Sequence, residues 1–153
     1  MRKRTRRKIW STDINPVAHA ITGAALIDRK NLNAIRLREL TSLEAIIKGH
    51  GTVYDWQNLV DMLNLSETMA LDGIGPESMD ICHQAHDALY KAAMRHKEIG
   101  RVVLDGPGIN AIRELIEYAD LQQQSITRAE FERYIKKTLN RLKSGSKMVV
   151  EIE

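Results

Sequence analysis

Helix-length segments marked off by glycine and proline set the limits on how this chain can fold. Pro16 follows Asn15, the arrangement of a first-turn proline behind an N-cap. The stretch 31–48 brings Leu32, Ile35, Leu40, Leu43 and Ile47 near one side of a helix and stops at Gly49. Thr52 with Asp55 resembles a capping box, with Asp in place of Glu, and opens a helix whose apolar stripe is Trp56, Leu59, Val60 and Leu63. Gly73 ends that helix, and Gly75–Pro76 starts the next over 77–99. There Met79, Cys82, His86, Leu89 and Ala93 alternate at spacings of three and four, and Gly100 closes the segment. A further helix runs from 108 with Ile109, Ile112, Leu115, Ile116 and Leu121 inward. "TRAE" at 127–130 matches the S/T-x-x-E box. A break near Gln122–Gln124 is therefore expected in preference to one helix from 108 to 143, because a capless run beyond ~25 residues is unusual in a compact domain.

Outside the terminal "MVVEIE" no strand-prone pattern occurs, so the expectation is all-α: a single-domain bundle of about five to six helices. Its parts are a basic arm over 1–12, a helical domain over 13–143 and a flexible tail over 144–153. Composition fits this. Aromatics make up 5% of the 153 residues, with Phe131 the single phenylalanine, so the core falls to Leu, Ile, Val, Met and Ala. Cys82 is the one cysteine and cannot form an intramolecular disulfide, which makes a reducing cytoplasm the expected setting. No apolar run approaches the ~18 residues of a transmembrane helix. The basic start is followed by "IWSTDINP", where Asp13 and Pro16 interrupt what a secretory signal would keep apolar.

Charge is segregated. Arg2, Lys3, Arg4, Arg6, Arg7 and Lys8 place six cations in the first eight residues. Residues 128–147 carry seven more against Glu130 and Glu132, whereas 9–127 holds ten cations and sixteen anions. Two basic ends thus flank an acidic body, and only the ends suit an anionic partner. Arginine-rich arms neutralise phosphates and release counterions, and some insert into the minor groove. Arg133, Lys136, Lys137 and Arg141 are three and four residues apart and are expected on one helical side.

Other constellations point less clearly to chemistry. "LDGIGPESMDI" resembles the helix-hairpin-helix motif of DNA-binding proteins, whose glycine turn offers backbone N–H groups to a phosphate, and "LDGPGINAI" echoes it. Against this stand Asp72, Glu77 and Asp105 beside the turns, Met79 where a small residue is wanted, and Pro107 in the middle of the second copy. Glycine at C′ followed by proline at N1 is also how ordinary helices are joined. "CHQAH" at 82–86 puts Cys82 and His86 one turn apart, but a structural zinc site wants four ligands and His19, His50 and His96 lie elsewhere. No metal or cofactor is expected. Serine-hydrolase, P-loop, dinucleotide and zinc-protease motifs are missing, and no catalytic residue is assigned.

The stretches "INPVAHAITGAAL", "DWQNLVDMLNLSETMALDGIGPE" and "GPGINAIRELIEYADLQQQS" resemble uncharacterised small accessory proteins of proteobacterial phages and mobile elements. The resemblance brings no catalytic motif; it implies a small protein acting on nucleic acid, or on a host protein, in a bacterial cytoplasm. The resulting expectation is a non-enzymatic protein binding the phosphate backbone through Arg2–Lys8, with the basic face of 133–143 as a second contact. The rival is a modulator that binds an acidic or other host protein, such as a component of a defence system. No membrane role is expected, and the oligomeric state is not readable from the sequence.

Overall fold

The computed structural model describes residues 23–144. They form five helices: α1 (Arg29–Ile47), α2 (Val53–Leu71), α3 (Met79–Ile99), α4 (Gly106–Gln124) and α5 (Arg128–Lys143), with a 3₁₀ turn, Pro76–Ser78, leading into α3. No strand occurs among the described residues; one isolated antiparallel bridge joins Leu26 to Thr127. The chain is an all-α bundle. No described helix is long and apolar enough to cross a membrane. The proline-led segment from Pro16, the arm and the "MVVEIE" tail lie outside the described residues.

Local chemistry fixes the helix ends. Thr52 and Asp55 satisfy each other's backbone N–H groups at the start of α2 in a full capping box. Asp28 caps α1 through Asn31 N at 2.8 Å, and Asp105 caps α4 through Gly108 N at 2.8 Å. Both helices therefore begin two residues earlier than the apolar periodicity alone suggests. At the end of α2, Gly73 N donates to Ala70 O and Ile74 N to Met69 O, a Schellman closure that needs the positive φ of Gly73. The expected break between α4 and α5 falls at Ser125–Thr127, where Thr127 accepts from Glu130 N at 3.2 Å.

Helices α1 to α4 share one core. Trp56, Leu59 and Leu63 of α2 meet Leu89 and an alanine face of α3 (Ala85, Ala88, Ala92, Ala93), with Ile112, Leu115 and Ile116 of α4 closing the far side. Small side chains on α3 let the neighbouring backbones approach closely. The buried Trp56 indole N–H finds a partner in Leu89 O at 2.9 Å, as a buried ring of this kind requires. Helix α5 is seated separately: Tyr134 and Phe131 pack with Met69, Leu65 and Ile74 at the end of α2 and with Ile126 of the α4–α5 link.

Two apolar stripes differ from the sequence expectation. In α1, Leu40 and Ile47 are exposed, and the inward positions are Leu32, Glu39, Ser42, Leu43 and Ile46. Ser42 is accommodated by Asn58 Nδ2, which donates to its Oγ at 3.0 Å. In α4, Leu121 points outward while Gln122 and Gln123 are buried. The inward side of each helix is set by which neighbours it meets, and near the ends of α2 those neighbours are polar.

Candidate functional site

The basic face of α5 splits into two halves. Positions 131, 134, 138 and 141 follow helical spacing and turn toward α2. Arg141 reaches Glu67 at 3.2 Å and donates to Thr68 Oγ1 at 2.8 Å, and Thr68 in turn donates to Asn64 O. Thr138 Oγ1 lies 2.9 Å from the same hydroxyl. One turn away, Lys137 Nζ donates to Asp72 Oδ2 at 2.6 Å and holds that carboxyl below its ordinary range. Lys137 and Arg141 thus clasp α5 to the acidic end of α2. Arg133 and Lys136 are exposed, without an ion pair among the described residues, and the Arg133 guanidinium lies 5.9 Å from the centre of the Tyr134 ring. The expected second contact therefore presents two exposed cations and two that neutralise the body's own carboxylates. Arg2, Lys3, Arg4, Arg6, Arg7 and Lys8 lie outside the described residues.

Helices α1 and α5 both rest on α2 and leave a groove of about 440 Å³ between them. Met62, Asn64 and Leu65 of α2 form its floor, Ile35 and Glu39 of α1 one wall, and Phe131, Ile135, Leu139 and Leu142 of α5 the other, with Gln123 at one end. Through Ile35, Phe131 and Ile135 it continues into a second hollow beside Ala25–Asp28, a segment tied to α5 by Arg128 N donating to Ala25 O. Glu39 is 3% exposed, and burial pushes its carboxyl up to about 7 although Arg38 and Arg36 work against the shift. No described residue donates a hydrogen bond to that carboxyl. Asn64 is buried beside the same groove, and its Oδ1 has no hydrogen-bond partner among the described residues. Sequence reasoning missed both. The available signal was Glu39 falling four residues after Ile35 and four before Leu43, on the side where α1 should be apolar.

Several amides of the glycine turns are already engaged within the chain. In the first, Gly73 and Ile74 close α2, and Gln122 Nε2 donates to Ile74 O at 2.8 Å while Gln122 Oε1 accepts from Ser66 Oγ at 2.6 Å. In the second, the Asp105 carboxylate occupies the N-terminus of α4, where the Gly108 N–H holds it below its ordinary range and Arg95 lies 3.6 Å away. An incoming phosphate would meet that carboxylate. Cys82 is fully buried and its thiol is pushed up by burial, which disfavours the thiolate a nucleophile requires. His83 is exposed and His86 half-buried, and no group of three or more His, Cys, Asp or Glu side chains among the described residues is placed to hold a metal.

No family model, no curated protein and no solved structure matches the chain.

Proposed function

We propose that this chain is a non-enzymatic accessory protein that binds the phosphate backbone of nucleic acid through Arg2, Lys3, Arg4, Arg6, Arg7 and Lys8. The observation that carries the reading is charge density: six cations without an anion in eight residues, joined to an acidic body that phosphate repels. Arg133 and Lys136 serve as the exposed part of a second contact. Lys137 and Arg141, already paired with Asp72 and Glu67, add less. The setting this implies is a bacterial cytoplasm and a phage or mobile element. Deleting residues 2–8 tests it, by removing salt-sensitive binding to duplex DNA.

A second reading, a modulator of a host protein, draws on the exposed apolar side chains of α5. Ile135, Leu139 and Leu142 lie along one edge of the α1–α5 groove, where a nucleic-acid contact has no use for them. Capture of a host protein that survives nuclease and high salt favours this reading over the first.

A further inference from the structure

The α1–α5 groove combines two properties that its packing role does not explain. Its walls are hydrocarbon, from Ile35, Phe131, Ile135 and Leu139, and its volume of about 440 Å³ falls in the range of small-molecule sites. One buried charged side chain lines it: Glu39 is 3% exposed, and no described residue donates a hydrogen bond to its carboxyl. A buried acceptor left unpaired is costly, and native structures rarely keep one without reason. A buried carboxyl on an apolar groove selects a shape, a hydrocarbon stem ending in hydrogen-bond donors.

We propose that this groove binds an apolar amine, an alkyl- or arylammonium whose stem lies against the α5 wall and whose head donates to Glu39. The site is separate from the arm and does not depend on the nucleic-acid reading. Charge selects the head group. The charged groups on the groove are Glu39 and Arg38 from α1 and Asp61 from α2, while α5 contributes none, so an ionised Glu39 leaves the lining with a net negative charge. Arg36 and, on α4, Asp120 also act on Glu39, with opposite signs. Carboxylates and phosphates are therefore excluded, and an ammonium gains a charge-assisted hydrogen bond that an alcohol of equal length does not. The adjoining hollow beside Ala25–Asp28 gives a longer stem room to extend.

Calorimetric titration of the full chain at about pH 8, where Glu39 is mostly ionised, tests the assignment with n-octylammonium, n-octanol and octanoate. The expected order is ammonium over alcohol by about tenfold to a hundredfold, with no octanoate binding. Glu39→Gln should reduce n-octylammonium to the affinity of n-octanol and leave n-octanol unchanged. Leu139→Arg, at a side chain 51% exposed and thus tolerant of change, should weaken n-octylammonium by placing a cation at the mouth. Equal binding of ammonium and alcohol, an unchanged ammonium affinity in Glu39→Gln, or no saturable binding of n-octylammonium would each overturn the proposal.

Discussion

Replacing Glu39 by glutamine isolates the energetic consequence of burying a carboxyl in the α1–α5 groove. The folded protein raises this group from 4.5 to about 7. A tenfold difference in proton affinity between the folded and unfolded chains is worth about 1.4 kcal/mol, so the folded state loses about 3 kcal/mol as Glu39 ionises. The sign follows from proton binding. Between 4.5 and about 7 the folded chain holds the proton and the unfolded chain does not, so stability from this group is full below 4.5 and falls as pH rises through 7. Glutamine keeps the shape and does not titrate. Every other group titrates in both proteins, so the difference between their stability curves reports Glu39. Urea unfolding followed through the buried Trp56 should show Glu39→Gln gaining about 3 kcal/mol relative to the parent between about pH 4 and about pH 8. That is about 1.5 M in midpoint for an m-value of about 2 kcal/mol/M. Parallel stability curves across that interval would show that Glu39 is hydrated or paired in solution, and the reasoning about the groove would fail with it.

Three further outcomes follow from the geometry. Arg141→Met should cost about 1.5–3 kcal/mol in chemical denaturation, because the guanidinium bonds both Glu67 and Thr68 away from most solvent; Lys137→Met, at a more exposed pair, should cost under about 1 kcal/mol. Equal losses would refute the clasp as drawn. Gly75→Ala should cost about 1–2 kcal/mol, since Gly75 has φ +62° and an added Cβ would lie 3.0 Å from Gln122 Cγ; an unchanged melting temperature would contradict this. Thr52→Ala removes one half of the α2 capping box and should cost about 1 kcal/mol, read in the same denaturation assay, with no loss arguing that water replaces the hydroxyl.

How much of the structure is legible in the sequence depends on how far apart the responsible residues lie. The Thr52–Asp55 box, the glycine closures at Gly73 and Gly100, and the break before Arg128 depend on residues within one turn of each other, and all appear in the structure. The all-α bundle follows from them. Side-to-side relations are less legible. Periodicity places Leu40, Ile47 and Leu121 inside, but α1 carries leucines on more than one side, and the neighbours it meets select Glu39 and Ser42 instead. Spacing likewise gathers Arg133, Lys136, Lys137 and Arg141 onto one face without showing that Glu67 and Asp72 of α2 wait opposite two of them. The partnerless Asn64 oxygen leaves no trace in composition or pattern, because it is defined by what three separate helices fail to supply.

Binding of a duplex DNA fragment by the whole chain and by a chain lacking residues 2–8, followed across a range of salt concentrations, decides between the two functional readings. An arm that neutralises phosphates gives the whole chain a logarithmic affinity that falls linearly with log salt at a slope of about −0.9 per phosphate contact, and the truncated chain a much shallower slope, no steeper than Arg133 and Lys136 sustain, with little residual affinity. Identical curves for the two chains would contradict the nucleic-acid account and leave the apolar edge of α5 as the working surface.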